Sequence, residues 1–142
     1  MAYTLKAQDI MVPELRYVDK NTTIKEAAQR IINEGIGSLI VTDQGSPVGI
    51  VTKRDVIWAV LFEKRDAERE TVDKIMSSPL ITVNADDEIE VILETMLRNN
   101  LTHLPVRMGN KLVGIITDND LVMLLRDLLD IIKKKLSSEE EK

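Results

Sequence analysis

Two seven-residue segments carry the polar side chains of this chain whose spacing best suits ligand binding. They read Gly49-Ile50-Val51-Thr52-Lys53-Arg54-Asp55 and Gly114-Ile115-Ile116-Thr117-Asp118-Asn119-Asp120, so both follow Gly-x-x-Thr-x-x-Asp. In each segment an apolar run typical of a strand ends at the threonine, and a helix is predicted to begin there.

The threonine and the aspartate of this pattern suit a nucleotide. A helix start gathers unpaired backbone N–H groups, and the helix dipole favours a phosphate beside them. The threonine hydroxyl can bond a phosphate oxygen, and a carboxylate one turn later can accept both hydroxyls of a ribose. The glycine would let a ligand approach the backbone closely. Thr52, Asp55, Thr117 and Asp120 are therefore candidate ligand-binding residues.

The same spacing has a purely structural interpretation. Thr-x-x-Asp is also the spacing of a capping box, in which the threonine caps the helix and the aspartate reaches back to the threonine amide. Polar residues at helix starts are common, so the residues alone leave ligand binding and capping equally open.

The two segments belong to a longer internal repeat. Residues 10–60 align with residues 75–125 without a gap, at a constant offset of 65. The identical pairs are mostly apolar or glycine, as a shared core requires, and they include Met11/Met76, Leu39/Leu104, Val48/Val113 and Gly49/Gly114. The chain therefore contains two tandem copies of one structural unit.

Each copy is predicted to fold as β-α-β-β-α. Apolar spacing and capping signals indicate helices that begin near Ile24 and Ile89 and stop at Gly35 and at Asn99-Asn100. The strands are predicted at Leu15–Val18 and Leu80–Val83, followed in each copy by a hairpin with its turn at 43–46 or 109–110.

The closing helices, which begin near Lys53 and Asp118, are apolar almost all round. One face of a sheet cannot cover such a surface, so either the two copies cover it or a second subunit does. We expect both kinds of contact, and a homodimer, because symmetric dimers are the commonest assembly. Trp58 is expected to be a core or interface residue.

Composition excludes several classes of function. The chain has no cysteine and a single histidine, His103, so no disulfide, thiolate site or zinc cluster is predicted, and no metal. A net charge of −5 argues against nucleic acid. We see no membrane span or secretion leader and expect a cytoplasmic protein. No nucleophile–base pair or phosphate-binding glycine loop is visible, so an enzyme is not expected.

The tandem β-α-β-β-α unit, with its repeated Gly-x-x-Thr-x-x-Asp, resembles the cystathionine-β-synthase (CBS) domain pair, or Bateman module. Supporting marks are Asp9-Ile10-Met11, Lys74-Ile75-Met76 and His103-Leu104-Pro105-Val106. The resemblance implies an α+β fold in which two repeats, related by a pseudo-twofold axis, form one Bateman module. The repeats are expected at residues 8–66 and 71–131, followed by a charged C-terminal tail at 132–142.

In such pairs, as the resemblance implies, two clefts each combine the threonine and aspartate of one copy with the start of the second strand of the other. Site A would hold Thr52, Arg54, Asp55, Ile81, Leu101, Thr102 and His103. Site B would hold Thr117, Asn119, Asp120, Arg16, Ile36, Gly37 and Ser38. The apolar members would enclose an adenine. Charge favours phosphate at site A, since Lys53 and Arg54 stand where copy two has Asp118 and Asn119, although Arg16 would add positive charge to site B.

The resemblance implies a stand-alone regulatory protein with no cofactor. We expect it to bind an adenosine-containing ligand reversibly, such as AMP, ADP, ATP, NADH or S-adenosylmethionine, and to change the angle between copies or subunits. The regulated partner is unknown. The alternatives are a ligand-independent dimeric scaffold and, more remotely, an RNA-binding module. The chain departs from the family pattern at Ile40, where copy two has Pro105, and at Arg107-Met108.

Overall fold

A computed structural model describes residues 4–140 of the chain, which folds as two compact units. The first unit runs from Leu15 to Ile81. The second unit combines residues 4–14 with residues 82–140. In chain order the elements are α1 Ala7–Ile10, β1 Tyr17–Asp19, α2 Ile24–Glu34, β2 Ser38–Asp43, β3 Ser46–Thr52, α3 Lys53–Leu61, a 3-10 turn Val72–Lys74, β4 Val83–Asn84, α4 Ile89–Asn99, β5 His103–Met108, β6 Lys111–Thr117 and α5 Asp118–Glu140.

Each unit contains one three-stranded sheet with the same topology. The strand orders are β1-β2-β3 and β4-β5-β6, with a parallel first pair and an antiparallel hairpin second. The predicted β-α-β-β-α order and the α+β class are therefore confirmed. The first strand of each copy begins two or three residues later than predicted, because only three residues of β1 and two of β4 pair with their neighbours.

The helix ends follow the local chemistry of the sequence. The Thr23 hydroxyl accepts the backbone N–H of Glu26, which caps α2, and Gly35 ends that helix in a left-handed conformation with φ 64°. Asn100 ends α4 in the same way with φ 51°. Both stop signals were predicted. Between its ends, α2 buries Ile24, Ala27 and Ile31, the face that the spacing of apolar residues indicates.

The segment that follows copy one completes the core of the first unit. This core consists of residues from the sheet, from α2 and from the 3-10 turn, namely Val18, Ala27, Ile31, Leu39, Val41, Val51 and Val72. Val72 is fully buried there. At the matching position 65 residues earlier, Ala7 of α1 is fully buried in the second unit. The boundaries of the structural units therefore differ from those of the sequence repeat.

Backbone hydrogen bonds fix both of these segments. In the first unit, Ser77 N–H donates to the Ile50 carbonyl at 2.9 Å, and Ile50 N–H donates back at 3.1 Å. In the second unit, Val12 and Ile115 exchange the same two bonds, both at 2.9 Å. The segment before copy one therefore belongs to the sheet of copy two, and each last strand has a partner on its outer edge.

The repeated glycine is required by a methionine. A side-chain carbon built at Gly49 would lie 2.7 Å from Met76 Sδ and 2.7 Å from the Ser77 carbonyl oxygen. At Gly114 it would lie 2.6 Å from Met11 Sδ and 2.9 Å from the Val12 carbonyl oxygen. The prediction that this glycine opens the backbone to a ligand is therefore wrong, since the completing segment occupies that space.

An ion-pair cluster joins the end of α2 to the start of β1. Glu34 accepts from Arg30 Nε at 2.7 Å and from Arg16 Nε at 3.0 Å, while Arg30 also donates to the Tyr17 carbonyl. The hydrogen bond from Arg30, and then the charge of both guanidinium groups, lower the pKa of Glu34 below its ordinary value. The same positions in copy two hold Ile81, Thr95 and Asn99, so this cluster exists only in the first unit.

The closing helices leave much apolar surface exposed. On α3 and at the residue that caps its end, these side chains are Ile57, Trp58, Leu61 and Phe62, each more than half exposed. Trp58 is therefore not a core residue, and its role at an interface stays a prediction. The charged tail expected at 132–142 continues α5 as helix up to Glu140. None of the helices described between residues 4 and 140 is long and apolar enough to cross a membrane.

We predict that Gly49→Ala destabilises the first unit by about 1–3 kcal/mol, because the added methyl group overlaps Met76 and the backbone at Ser77. Urea denaturation measures the loss. In the double variant Gly49→Ala/Met76→Ala, the two costs should be less than additive, since truncation of Met76 removes one of the clashes. Strict additivity would contradict the proposed contact.

We predict that Glu34→Gln lowers stability slightly at neutral pH and has no effect in acid. Because folding lowers the pKa of Glu34, its contribution is present above the ordinary carboxylate pKa and is lost as the pH falls through the lowered value. The effect is small because these side chains are exposed. Urea midpoints at pH 7 and near pH 3 measure it, with Glu26→Gln on the same helix as control. A difference that persists in acid would refute the assignment.

We predict that deletion of residues 2–14 destabilises the hairpin β5–β6 selectively. The deletion removes buried Ala7 and the bonds between Val12 and Ile115, but leaves the first unit complete. Amide hydrogen exchange should become faster in 103–117 before it does so in 38–52. Val12→Pro, which removes one donor, should give a weaker effect of the same kind. Equal loss of protection in both hairpins would contradict the assignment of the N-terminal segment to the second unit.

Candidate functional site

Thr52 and Asp55 form a complete capping box at the start of α3. Asp55 Oδ2 accepts the Thr52 N–H at 2.8 Å and the Thr52 hydroxyl at 3.1 Å. In return, Thr52 Oγ1 accepts the Asp55 N–H at 3.3 Å. Both side chains are half-buried, and no hydrogen bond among residues 4–140 uses Asp55 Oδ1. One carboxylate oxygen therefore remains able to accept from a ligand.

Copy two repeats this geometry at the start of α5. Asp120 Oδ2 accepts the Thr117 N–H at 2.9 Å, and Thr117 Oγ1 accepts the Asp120 N–H at 3.2 Å. The capping interpretation of Thr-x-x-Asp is therefore confirmed in both copies. Capping holds the threonine and aspartate side chains in fixed positions at a helix N-terminus. It also occupies backbone N–H groups there: those of Thr117 and Asp120 bond within the capping box, and those of Asp118 and Asn119 donate to the Thr102 carbonyl and to Asp118 Oδ1.

Within each unit, the start of the second strand lies beside the capping box. Ser38 pairs with Thr52 across the hairpin, and Lys53 N–H donates to the Gly37 carbonyl at 3.1 Å. In the second unit His103 pairs with Thr117. There Asp118 N–H donates to the Thr102 carbonyl at 3.0 Å. Each unit therefore brings some residues of predicted site A and some residues of predicted site B together at one end of its hairpin. That each complete site combines residues from both copies stays a prediction.

The flanking residues make the two helix starts electrostatically different. Lys53 and Arg54 are exposed, and neither forms an ion pair with another residue in the 4–140 range. At the matching place in copy two, Asp118 accepts the Asn119 N–H at 2.8 Å. The start of α3 thus presents two positive charges to solvent, and the start of α5 presents a negative one.

Arg16, the residue expected to bring positive charge to site B, is balanced by a carboxylate. Its Nε lies 3.0 Å from Glu34 Oε1, and its side chain is 40% exposed. The remaining members of the two predicted sites are half-buried at Ile36, Ile81 and Leu101 and exposed at Thr102. His103 is half-buried at the first position of β5, with Nδ1 3.0 Å from the Thr102 hydroxyl.

A cavity of about 310 Å³ lies beside the first capping box, within the first unit. Its lining is Arg54, Asp55, Trp58, Glu63 and Ile75. The sequence predicts Trp58 as a core or interface residue rather than a ligand contact. Helical spacing could have indicated otherwise, because Trp58 follows Asp55 by three residues and Arg54 by four, which places all three on one face. An aromatic ring, a guanidinium and a carboxylate on one open wall suit an aromatic, charged ligand.

Comparison with known proteins places the sequence in a family. The family model for the CBS domain matches the chain twice, at residues 7–61 and 72–127. An uncharacterized 17.7 kDa protein from Acidianus ambivalens is 37% identical over 125 residues, which is 87% of this chain and 74% of that protein. A protein from Methanopyrus kandleri is 31% identical over 121 residues, and the chain spans only 62% of its length.

Solved structures agree with the fold. The CBS domain pair of one protein, in complex with 5′-methylthioadenosine and S-adenosyl-L-methionine, is 28% identical with a TM-score of 0.77, over 88% of this chain and 98% of that one. A hexameric CBS-CP12 protein from bloom-forming cyanobacteria is 27% identical with a TM-score of 0.78, over 85% and 68%. With two matched copies, each carrying its own capped helix start, this chain belongs to the CBS domain family.

Proposed function

We propose that this chain is a regulatory module that reversibly binds an adenosine-containing ligand at the helix starts of its two CBS copies. The observation that carries the proposal is the pair of fixed Thr-x-x-Asp helix starts, one of them flanked by the exposed cations Lys53 and Arg54. A relative of the same fold has been solved with two adenosine-containing ligands, which supports this ligand class. Sites A and B, as defined above, are the proposed residue sets.

The proposal gives each group at the start of α3 a separate task. The backbone N–H and the guanidinium of Arg54 would hold phosphate oxygens, because the N–H groups of Lys53 and Asp55 already donate to the Gly37 carbonyl and to Thr52 Oγ1. Each charge-assisted bond contributes about 1.5–3 kcal/mol before desolvation. Asp55 Oδ1, which is not used by the capping box, would accept a ribose hydroxyl. Because Asp118 would repel a polyphosphate, phosphate-rich ligands should prefer site A, and neutral or cationic adenosine ligands should tolerate site B better.

The module would act by a shift between arrangements of its copies or subunits. A ligand can shift that equilibrium only by its difference in affinity for the two arrangements. We propose that the chain itself works as a homodimer, that it is cytoplasmic, and that it regulates a separate protein rather than catalysing a reaction. No specific ligand or regulated partner is assigned.

A ligand-independent scaffold is the second candidate. The exposed apolar side chains on α3, including Trp58 and Phe62 with ring centroids 4.7 Å apart, favour it, because such patches often mark contacts between proteins. The two candidates make opposite predictions for nucleotide binding. An RNA-binding module has less support, since the exposed cations at Lys53 and Arg54 are few and the net charge is −5.

We predict that isothermal titration of ligand-stripped protein detects binding within a panel of adenosine, AMP, ATP and S-adenosylmethionine. Arg54→Ala should weaken ATP by about tenfold or more while changing adenosine little, because only the phosphate contact is lost. Asp55→Ala should weaken every ligand of site A, because it removes the proposed ribose acceptor. Asp120→Ala should affect ATP less than Asp55→Ala does.

Asp9→Ala is the matched control. Asp9 forms the same kind of capping bond, to the Lys6 N–H at 2.9 Å, but is not part of either proposed site. It separates loss of a cap, about 0.5–2 kcal/mol of stability, from loss of a ligand contact. No binding heat at millimolar ligand from a folded protein would favour the scaffold. Equal losses in Asp55→Ala and Asp120→Ala would reject the asymmetry between the sites.

A further inference from the structure

The cavity beside the first capping box contains groups that neither proposed site uses. Of its five lining residues, Arg54 and Asp55 belong to site A, whereas Trp58, Glu63 and Ile75 belong to neither site. All five lie in the first unit. Its volume of about 310 Å³ is at the lower end of the range for small-molecule sites, about 300–1,000 Å³, so it has room for part of a nucleotide.

Trp58 offers an aromatic surface to this cavity. The residue is 55% exposed. Its ring centroid lies 4.7 Å from that of Phe62, at an interplanar angle of 31°, and Phe62 is not a lining residue. The phenyl ring therefore supports the indole from outside the cavity, while the exposed part of the indole remains for a planar ligand. Stacking of this kind suits a nucleobase, because every base has a π-face.

Glu63 adds a carboxylate to the cavity just past the end of α3. Its N–H donates to the Trp58 carbonyl at 3.1 Å, which fixes the backbone of Glu63 relative to the turn that carries the indole. Glu63 Oε1 accepts from Arg65 Nε at 3.4 Å, and no hydrogen bond among residues 4–140 uses Oε2. One oxygen of this carboxylate is therefore left for a donor within the cavity.

The chain after α3 holds the Glu63 side chain in place. It turns back at Lys64, which has a left-handed φ of 54°, so that Arg65 N–H donates to the Ala59 carbonyl at 3.0 Å. The Arg65 guanidinium then bridges two carboxylates, because its Nη1 donates to Glu70 Oε1 at 2.9 Å while its Nε donates to Glu63. A carboxylate that is already restrained loses less entropy when it binds a ligand.

The order of these groups along α3 matches the order of the parts of an adenine nucleotide. Asp55 lies in the first turn, Trp58 is three residues or about 4.5 Å further along the axis, and Glu63 follows the helix end. In an adenine nucleotide the base follows the ribose, and its exocyclic amine projects from the side away from the ribose. With the ribose at Asp55, the base falls on Trp58 and the amine faces Glu63.

Copy two lacks these groups. At the matching positions, 65 residues later in the chain, the guanidinium, the indole and the carboxylate of the cavity are replaced by Asn119, Met123 and Leu128. Only the aspartate of the capping box is shared, as Asp55 and Asp120. A base contact of this kind can therefore form at the helix start of copy one and not at that of copy two.

We propose that the cavity binds the base of the adenosine-containing ligand, with Trp58 stacked on one face and Glu63 Oε2 accepting the exocyclic amine. The other face of the base is left to the apolar residues of site A. Because an ionised carboxylate only accepts hydrogen bonds, Glu63 selects a base with an amine and rejects hypoxanthine, which has a carbonyl oxygen there. This inference rests on the proposed function and adds Trp58 and Glu63 to site A.

Fluorescence tests the base contact, because Trp58 is the only tryptophan of the chain. Excitation at the red edge of the indole absorption avoids absorption by the nucleotide. AMP should quench the emission saturably, with the dissociation constant that calorimetry gives. Trp58→Leu should weaken AMP by about tenfold or more, whereas Trp58→Phe, which keeps a ring, should lose much less.

The outcomes separate this inference from the proposed function. Calorimetric binding of AMP without quenching, and with full affinity in Trp58→Leu, would overturn the base contact and leave the proposed function intact. Absence of AMP binding would overturn the inference. Absence of binding by every ligand of the panel above would overturn the proposed function as well.

Comparison of AMP with inosine monophosphate (IMP) tests the role of Glu63. The two ligands differ only in the base, where IMP carries a carbonyl oxygen in place of the amine. The natural chain should bind AMP about tenfold or more tightly than IMP. In Glu63→Gln this ratio should fall toward one, because an amide can accept from the amine or donate to the carbonyl oxygen.

Glu68→Gln is the matched control for Glu63→Gln. Glu68 lies in the same connection between the copies but pairs with Lys25 at 3.2 Å and does not line the cavity, so this variant should keep the natural ratio. A general loss of structure would weaken both ligands and leave their ratio unchanged. Equal affinity of the natural chain for AMP and IMP, or an unchanged ratio in Glu63→Gln, would overturn the assignment of Glu63.

Discussion

Each sheet of this protein depends on a backbone pairing with a segment from outside its own hairpin. Ile50 exchanges two hydrogen bonds with Ser77, and Ile115 does so with Val12. These bonds satisfy the outer edge of the last strand, which would otherwise expose unpaired N–H and C=O groups. They also bring Met76 and Met11 onto a glycine on that strand, where no side chain fits. This contact on one edge and the hairpin pairing on the other hold the strand, and hence the helix start that follows it, in place.

The capping boxes link that scaffold to the proposed chemistry. At Thr52 and Thr117, a strand ends and a helix begins with no intervening residue, so the cap must satisfy backbone groups at the junction. Capping leaves Asp55 Oδ1 to a ligand, because Asp55 binds the Thr52 amide and hydroxyl through Oδ2 only. The Thr52 hydroxyl, in contrast, must give up its bond to Asp55 before it can donate to a phosphate oxygen. A side chain already held by its own backbone loses little further entropy when a ligand binds, which favours affinity.

The sequence predicted what depends on local periodicity and on short-range signals. The helix stops at Gly35 and Asn100, the hairpins and the two Thr-x-x-Asp helix starts follow from spacing within about ten residues. What it missed depends on contacts between residues distant in the chain. The burial of Ala7 in the second unit, the contact of Met76 with Gly49 and the pairing of Arg16 with Glu34 leave no periodic trace.

The difference between the two copies lies at positions that the fold leaves free. Thr52 and Asp55 match Thr117 and Asp120 because the backbone needs the same cap in both places. The two residues between them are exposed in both copies and take no part in the capping box, so the fold accepts Lys53-Arg54 in one copy and Asp118-Asn119 in the other, where Asp118 also accepts the Asn119 N–H. One backbone can thus present a cationic and an anionic helix start, and selectivity for charge would follow from those two positions.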